Sequence, residues 1–499
     1  MRFVILALAL VSGSCFAKDV AVPKVEGPVP VTATSQIYGH AWNIDLAKAG
    51  YTEEEYFVSG KANVYQYGAK GDVEVRSPEA PYATRLLVRR PTDPKKFSGN
   101  VVVEIINMSR GWDLDVQWQM QHEYILRNGD AYVGVTSKPD AVKALQHFDP
   151  ARYGKLSWAN PVPVGDPRNC TSINTILVGD SSRETENGLF YDIYSQVAAL
   201  LKSADPKRPL HELPVKYLYA VGYSQSGGIL KTYIEAIEPQ ALFHGKPVYD
   251  GYLVGAASGP APINQCAPGP HGLDGRLSSK PLPPRAVPVI VVMTNTDYMW
   301  AYAARRPDGD SPTDKFRLYE VAGASHGYTY PGQFEPGVED IHRAGFDNRY
   351  AYQCAAPREG SDFRSDYIFN VALKDLDLWV RYGTAPPRSQ LIDVADVGPP
   401  EPVAKRDPYG NAVGGVRTPF VDVPTATYFP EGIMDTDKGV KCTMSKQPFD
   451  HAQLQKLYPT HAAYVQKVDQ SADRLVKEGW LLPEDAQQIK AQAAAAAIP

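Results

Sequence analysis

One short Gly/Ser turn contains residues that could act as a nucleophile. The segment Lys216–Ile237 (KYLYAVGYSQSGGILKTYIEAI) reads as an apolar β-rich run, a tight turn and a run of helix formers, with Ser224 at the apex. A sharp strand-to-helix turn requires small residues two positions before and after the serine, here Gly222 and Ser226, because neighbouring backbone passes very close. The turn would expose the serine oxygen and aim the N–H of Gln225 at the same space, where it can stabilise an oxyanion.

The same motif allows a second register, since Ser226 has Ser224 and Gly228 at the equivalent positions. We favour Ser224 because the predicted strand ends at Val221, and the nucleophile of such a turn follows its strand within a few residues. A Ser/Gly turn after a strand more often has only a structural role, in which it ends the strand. A catalytic role for the serine therefore requires partner residues elsewhere in the chain.

Two candidate partners follow buried strands further along the chain. A serine hydroxyl is a weak nucleophile until a base takes its proton, and the base needs an acid that holds its tautomer. Asp297 follows the apolar run 288–294, and His326 follows the run 316–321, whereas the other downstream histidines precede the first run or follow no strand. The chain order Ser, Asp, His, each on a loop after a strand, is that of the α/β-hydrolase fold. The pattern predicts Ser224 as nucleophile, His326 as base and Asp297 as acid.

A second donor for the oxyanion hole is expected from the loop after the third predicted strand, 96–107 (KFSGNVVVEIIN). In this fold that loop supplies a backbone N–H to the reacting carbonyl oxygen. Met108 and Ser109 both have a suitable position, and the sequence does not choose between them. The predicted oxyanion hole is therefore the N–H of Gln225 with that of Met108 or Ser109.

The predicted strands and helices that must position these residues are typical of an α/β protein. Apolar runs without alternation, such as 96–107 and 131–135, are typical of strands buried on both faces, and helical patterns separate them. We therefore predict a mostly parallel sheet of about eight strands with helices on both faces, within a domain spanning residues 18–445. Two Pro/Gly-rich stretches, near 136–188 and 258–286, are predicted to be loop insertions that border a pocket. Residues 446–499 are predicted to form a helical C-terminal extension.

Residues 1–17 (MRFVILALALVSGSCFA) have a basic start, an apolar core too short to span a bilayer and a small-residue cleavage site. This pattern predicts a signal peptide and a secreted or periplasmic protein, with no integral membrane segment once the signal is removed. Cys15 lacks the preceding leucine of a lipoprotein box, so we do not expect lipidation. A formal net charge of −5 and 43% apolar residues indicate a soluble globular protein and argue against a nucleic-acid partner.

Four cysteines remain after removal of the signal: Cys170, Cys266, Cys354 and Cys442. They lie in Pro/Gly/Asn-rich loops and show no metal-ligand spacing. In an oxidising compartment we expect two structural disulfides, for which three pairings are possible. We expect no metal ion and no other cofactor.

The chain resembles a family of α/β-hydrolase domain proteins, many of them secreted. The likeness is carried by FSGNVVVEIINMS, AYVGVTSKPDAVKALQHFDPARYGKL, YDIYSQ, GYSQSGG, VPVIVVMTNTD, RLYEVAGASH and GNAVGGVRTPFVDVPTATY, which cover most of the mature chain. The resemblance implies a serine hydrolase with Ser224, Asp297 and His326 as its triad. A glutamate often occupies the position of Asn295 in that family, which leaves Asp297 as the acid here. The substrates of the family are poorly defined.

The sequence therefore predicts an exported serine hydrolase that cleaves a carboxylic ester of a small molecule through an acyl-enzyme. An acyltransferase with the same triad is an alternative that differs only in whether an alcohol or water resolves the acyl-enzyme. A non-catalytic binding module on the same scaffold is a further alternative. The acyl and alcohol groups, the identity of the lid loops and the oligomeric state stay open at this point.

Overall fold

The computed structural model describes residues 19–40, 44–171, 182–267, 280–327, 336–347, 354, 356–398, 401–430 and 444–499. The predicted signal peptide, Cys442 and the middle of each predicted insertion (172–181 and 268–279) lie outside the described residues.

The described residues contain strands of two to nineteen residues. In chain order they are β1 (Lys24–Glu26), β2 (Tyr51–Tyr67), β3 (Val73–Pro91), β4 (Asn100–Ile105), β5 (Ala131–Val135), β6 (Tyr217–Tyr223), β7 (Leu242–Phe243), β8 (Lys246–Pro247), β9 (Gly251–Gly255), β10 (Val289–Thr294), β11 (Gly309–Ser311), β12 (Asp314–Val321), β13 (Glu359–Gly360), β14 (Val394–Asp396), β15 (Val403–Ala404), β16 (Ala426–Phe429) and β17 (Ser445–Pro448).

The helices are distributed between the strands and at the C-terminus. In chain order they are α1 (Val116–Asn128), α2 (Pro139–Phe148), α3 (Pro150–Tyr153), α4 (Phe190–Lys202), α5 (Gln225–Thr232), α6 (Asp297–Ala301), α7 (Val338–Arg343), α8 (Asp366–Tyr382), α9 (Pro419–Asp422), α10 (His451–Leu457), α11 (His461–Glu478) and α12 (Pro483–Ala495). None of these helices in the described part of the chain combines the length and the apolar character that a bilayer crossing requires.

Ten of the strands form one sheet in the order β1-β2-β3-β5-β4-β6-β9-β10-β12-β11. The six strands from β5 to β12 in this order run parallel, and the remaining strands pair antiparallel at the two sides. The predicted α/β class with a mostly parallel sheet is confirmed. The sheet exceeds the expected eight strands because the three-residue strands β1 and β11 extend its two edges.

Helices cover both faces of the sheet, as the side chains of β6 show. The hydroxyl of Tyr219 donates to Asp377 of α8 at 2.5 Å. A Cβ placed on Gly222 would lie 2.7 Å from the carbonyl oxygen of Ser226 in α5. Because successive strand side chains point to opposite faces, α8 and α5 lie on opposite sides of the sheet. Helix α1 packs on α8, and α4 packs near the turn that continues α5.

A buried carboxylate at the centre of the sheet fixes the start of α1. Glu104 in β4 is fully buried and accepts from the N–H groups of Gln117 (2.9 Å) and Trp118 (3.0 Å) and from the hydroxyl of Tyr132 (2.9 Å). The first N–H groups of a helix have no partner within the helix, so this carboxylate satisfies two of them. Burial raises the pKa of Glu104 to about 8.

The predicted loop insertion 136–188 contains more regular structure than its composition indicates. Residues Pro139–Phe148 form helix α2, with Ala141, Val142, Leu145 and Phe148 buried. Proline is compatible with the first helical turn, where its missing N–H costs no hydrogen bond, so Pro139 begins the helix instead of breaking it. In the second insertion, the described residues 258–267 and 280–286 form no helix or strand.

The predicted helical C-terminus is observed as α10, α11 and α12, with Pro483 in the first turn of α12 as expected. Asp485 connects this region to the helices on the sheet, because its carboxylate accepts from Arg127 of α1 (3.2 Å) and Asn370 of α8 (3.0 Å). Asp485 is fully buried, and burial raises its pKa to about 6.

A disulfide joins the two insertions. Cys170 in the first insertion is bonded to Cys266 in the second, across 96 positions of sequence. Cys354 is also disulfide-bonded. Of the three pairings that the sequence left open, the structure thus selects one that includes Cys170 with Cys266.

A cluster of buried charges ties the N-terminal strands to α3. Glu55 in β2 is fully buried and accepts from Arg85 (2.5 Å) and Arg152 (2.6 Å) and from the hydroxyl of Tyr153 (2.9 Å). Both arginine side chains are 1% exposed. Removing the shared carboxylate would leave two buried cations without this partner.

We predict that Glu55→Ala lowers the free energy of unfolding by about 3–5 kcal/mol, the range for breaking a buried ion pair. Urea titration followed by circular dichroism measures the change. The matched control is Glu26→Ala, which removes an exposed partner of Lys155 (side chains 71% and 45% exposed) and should cost less than about 1 kcal/mol. Equal effects of the two substitutions would contradict the prediction.

Candidate active site

The residues predicted to do chemistry lie at the carboxyl edge of the parallel sheet. Ser224 directly follows β6, Asp297 lies three residues after β10, and His326 lies five residues after β12. These strands are near neighbours in the order β6-β9-β10-β12. Their carboxyl ends therefore meet along one edge, where loops of modest length bring the three side chains together.

The turn between β6 and α5 has the geometry of a nucleophile elbow. Ser224 adopts φ = 56° and ψ = −118°, a conformation that L-residues rarely occupy. The backbone of Gly222 approaches the first turn of α5 so closely that a Cβ there would clash. Ser226 is fully buried, and its hydroxyl is hydrogen-bonded to the backbone N–H and carbonyl of Tyr223. Ser226 thus holds the turn, and Ser224 is the serine that faces the other polar groups.

Three side chains form a continuous series of hydrogen bonds. The Oγ atom of Ser224 lies 2.9 Å from Nε2 of His326. The Nδ1 atom of His326 lies 2.7 Å from Oδ1 of Asp297. Asp297 is 1% exposed and the His326 side chain is 33% exposed, so the carboxylate is buried while the imidazole reaches the protein surface. Because an ionised carboxylate can only accept hydrogen bonds, Asp297 favours the tautomer that carries its proton on Nδ1, and this leaves Nε2 available to accept from the serine hydroxyl.

The surroundings of His326 favour its charged form. Burial by itself disfavours the imidazolium, but the charge of Asp297 and its hydrogen bond to Nδ1 outweigh burial and raise the pKa of His326 above its ordinary value. A buried carboxylate that stabilises the imidazolium is what a general base needs at the moment it accepts a proton.

Hydroxyl groups that the sequence analysis did not single out hold Asp297 and His326 in place. Thr294 Oγ1 donates to Oδ2 of Asp297. Thr296 Oγ1 accepts from the N–H of His326 at 3.0 Å and donates to the carbonyl of Pro430. The two threonines belong to the segment MTNTD around the acid, so their proximity in sequence to Asp297 was the available signal.

Two further residues fix the histidine loop. The hydroxyl of Tyr223, directly before Ser224, donates to the carbonyl of His326 at 2.5 Å. Asn295 is fully buried, and its Oδ1 accepts from the N–H of Gly323 at 3.1 Å. Asn295 therefore supports the loop that carries His326. Neither role can be read from residue type alone.

The loop after β4 reaches the elbow at the position expected for the oxyanion hole. Asn107 Nδ2 donates to the carbonyl of Tyr223 at 2.8 Å, and Asn107 Oδ1 accepts from the N–H of Ser109 at 2.8 Å. The N–H of Ser109 is therefore already engaged. The N–H of Met108 has no hydrogen-bond partner in the described part of the chain. Gln225 begins α5, which places its N–H in the first helical turn beside Ser224.

A buried lysine lies within electrostatic reach of Asp297. Lys231 of α5 is 5% exposed, and its ammonium donates to the carbonyl of Ala257. Burial lowers the pKa of Lys231 to about 8, while the charge of Asp297 acts in the opposite direction. Among the described residues, no group of three or more His, Cys, Asp or Glu side chains lies close enough together to hold a metal ion.

The mostly parallel sheet and the serine on a strand–turn–helix elbow define an α/β-hydrolase fold. The model of the alpha/beta hydrolase domain family matches residues 25–491, and the chain belongs to this family. The resemblance inferred from the sequence motifs is thereby confirmed. No curated protein sequence matches the chain.

Several solved structures are similar to this chain at low identity. The apo form of Thermogutta terrifontis esterase 2 is 14% identical, with coverage of 66% of this chain and 97% of that one and a TM-score of 0.31. The Lactobacillus plantarum carboxylesterase Cest-2923 is 11% identical (53% and 88% covered, TM-score 0.30). A poly(3-hydroxybutyrate) depolymerase from Bordetella parapertussis is 12% identical (57% and 94% covered, TM-score 0.28). With values this low, the assignment rests on the family match.

We predict that Asp297→Asn lowers the pKa of His326, because the substitution removes the charge that opposes the effect of burial. Histidine side-chain NMR of wild-type and variant protein over a pH series measures the shift. Asp377→Asn is the matched control, because this carboxylate of α8 bonds Tyr219 and Arg381 and has no contact with His326. An unchanged His326 titration in Asp297→Asn would show that Asp297 does not set this pKa.

Proposed function

We propose that the protein is an exported serine hydrolase that cleaves carboxylic esters, with Ser224 as nucleophile, His326 as general base and Asp297 as the acid that orients it. The observation that carries the proposal is the hydrogen-bond series from Ser224 Oγ through His326 to Asp297, with separations of 2.9 and 2.7 Å. These separations lie within the range required for proton transfer between a nucleophile and its base.

In the first half of the reaction, Ser224 Oγ attacks the ester carbonyl while Nε2 of His326 accepts the hydroxyl proton. The carbonyl oxygen becomes an oxyanion, which the N–H groups of Gln225 and Met108 stabilise. The engaged N–H of Ser109 makes Met108 the better second donor. One such donor contributes about 10²–10³ in rate. His326 then donates its proton to the departing alcohol, and an acyl-enzyme forms on Ser224.

In the second half, water takes the place of the alcohol. His326 accepts a proton from the water, which attacks the acyl carbonyl, and the same oxyanion donors stabilise the intermediate. The proton returns to Ser224 Oγ as the carboxylic acid leaves. Throughout, Asp297 balances the charge of the imidazolium.

Export is supported by the predicted signal peptide and by the Cys170–Cys266 disulfide. Disulfides persist in oxidising compartments and are rare in the reducing cytosol. We therefore infer a periplasmic or extracellular enzyme that acts on a small ester.

We predict that Ser224→Ala reduces turnover of p-nitrophenyl acetate by about 10⁵–10⁶-fold, as removal of a triad nucleophile does in other serine hydrolases. A fluorophosphonate probe should label the wild-type protein at Ser224 and fail to label the variant, as read by peptide mass spectrometry. Circular dichroism checks that the variant is folded.

The substitution Ser226→Ala tests the alternative in which Ser226, and not Ser224, is the nucleophile. Its hydroxyl holds the turn, so this variant should lose stability and yet still react with the probe at Ser224. Labelling at Ser226, or undiminished turnover in Ser224→Ala, would overturn the assignment. Labelling at Ser224 without release of the acid in water would favour an acyltransferase, which product analysis with added alcohol would identify.

We also predict that kcat/KM falls at low pH with the titration of a single group. His326 must be neutral to accept a proton, and its pKa is raised, so activity should be full above that pKa and fall as the pH drops through it. The midpoint should lie above about 6.5, the ordinary histidine value. In Asp297→Asn the residual activity should be half lost at a lower pH than in the wild type. An unchanged midpoint would contradict the assignment of Asp297 as the partner of His326.

A further inference from the structure

The loop between β4 and α1, which carries the proposed second oxyanion donor, is closed at its base. Asn107, two residues after β4, exchanges backbone hydrogen bonds with Leu114 at 3.0 and 2.7 Å. Within the loop, the N–H of Gly111 donates to the carbonyl of Met108 at 2.9 Å. These bonds give the loop a fixed shape, but they are internal to it and do not set its position relative to the elbow.

The side-chain amide of Asn107 joins this loop to the elbow. Asn107 is 1% exposed, and its Nδ2 atom donates to the carbonyl of Tyr223 at 2.8 Å. The paired register of β4 and β6 ends at Glu104 and Val221, so this bond extends the attachment beyond the edge of the sheet. A flipped amide would place Oδ1 against the Tyr223 carbonyl and Nδ2 against the N–H of Ser109, so the two bonds fix its orientation.

The Tyr223 carbonyl belongs to the peptide group that precedes Ser224. The orientation of this peptide plane determines the φ angle of Ser224, which is held at 56°. The carbonyl accepts from Asn107 and also from the hydroxyl of Ser226 at 2.9 Å. The N–H of the same peptide group donates to the carbonyl of Gly255 at 2.9 Å. Asn107 therefore helps to hold the strained turn that carries the proposed nucleophile.

The other polar atom of the Asn107 side chain orients the donor loop. Its Oδ1 accepts from the N–H of Ser109 at 2.8 Å, which closes a turn around Met108. The turn uses the N–H of Ser109 and leaves that of Met108, which has no partner in the described part of the chain. One side chain thus bonds both segments that carry the proposed donors, Met108 and Gln225.

We infer that Asn107 is a positioning residue of the oxyanion hole, because its amide fixes the separation and the relative orientation of the N–H groups of Met108 and Gln225. The inference rests on the proposed ester hydrolysis and specifies what sets the geometry of its transition-state site. Asn107 is buried and both polar atoms of its side chain are engaged, so it acts through the two loops and does not touch the substrate. Oxyanion donors must lie about 2.7–3.1 Å from the oxygen that develops charge, so a small shift between them weakens the stabilisation.

The first measurement compares turnover of p-nitrophenyl butyrate. Asn107→Leu removes both side-chain bonds at similar volume. Asn107→Ser retains an acceptor for the turn but is too short to reach the Tyr223 carbonyl. Both variants should lower kcat/KM about 10²-fold, the cost of misplacing a catalytic group by about 1 Å.

Asn411→Leu is the matched control. Asn411 is also fully buried, donates to the carbonyl of Ala426 at 3.1 Å and accepts from the N–H of Tyr428 at 2.9 Å. Its replacement removes the same two kinds of bond from a pair of segments that carry neither proposed donor. The variant should lose stability, as measured by urea titration, while the folded protein keeps its kcat/KM.

The second measurement separates positioning from a purely structural role. When hexyl trifluoromethyl ketone binds, Ser224 Oγ adds to the carbonyl carbon, the serine proton passes to His326 and the carbonyl oxygen becomes an oxyanion. Hexyl methyl ketone resists this addition and reports ground-state binding alone. In the Asn107 variants the inhibition constant of the trifluoromethyl ketone should rise by the factor by which kcat/KM falls. The inhibition constant of the methyl ketone should stay unchanged.

Three outcomes would overturn the inference: wild-type kcat/KM in Asn107→Ser, an equal loss of kcat/KM in Asn411→Leu, or a loss in the Asn107 variants that affects both ketones alike. If Asn107→Leu does not fold, Asn107→Ser decides between these results and the expected ones. Failure of the proposed function has a different signature, in which the wild type itself binds the two ketones equally or does not hydrolyse p-nitrophenyl butyrate.

Discussion

Helix α5 approaches strand β6 so closely that the turn between them can adopt only one backbone conformation. A Cβ on Gly222 would lie 2.7 Å from the carbonyl oxygen of Ser226, and a Cβ on Gly227 would lie 2.7 Å from that of Gly255. Within this contact Ser224 is held at a positive φ, a conformation that costs about 1–3 kcal/mol and persists only where the surrounding packing enforces it. The buried Ser226 hydroxyl and the adjacent strand supply that packing. As a result the Ser224 side chain projects above the sheet edge, and the position of every other group in the site is defined relative to it.

The parallel sheet brings the hydrogen-bond partners of Ser224 to the same edge. Because β6, β10 and β12 end at the same edge, Asp297 and His326 need only short loops to reach Ser224, and Thr294 and Thr296 fix those loops through hydroxyl hydrogen bonds. The proposed triad uses general features of the fold, which accommodate many ester substrates. We expect the selectivity of the proposed enzyme to be set by the two insertions, which the Cys170–Cys266 disulfide joins.

Much of this arrangement could be predicted from the sequence because it depends on local patterns. Continuous Val/Ile runs marked the buried strands, and small residues around Ser224 marked the tight turn. The order of Ser224, Asp297 and His326 after successive strands indicated which side chains would share the sheet edge. Proline before an acidic first turn marked the start of α12 at Pro483. The same reasoning missed α2, since Pro139 stands in a Pro-rich stretch whose composition resembles a loop, and only the burial of the helix against the core reveals the element.

Contacts between distant parts of the chain were decided by the tertiary structure alone. The spacing of the cysteines could not select Cys170 with Cys266, because three pairings satisfy the same sequence. Nothing near Lys138 indicates that Gln265, more than a hundred positions away, lines the same cleft. The sequence by itself determined the elements, the turn that carries Ser224 and the order of its partners, since backbone preference and hydrophobic periodicity act over a few residues. The tertiary structure decided which N–H groups stay available, which cysteines meet and which polar atoms share a cleft, since these depend on packing between segments that no local pattern records.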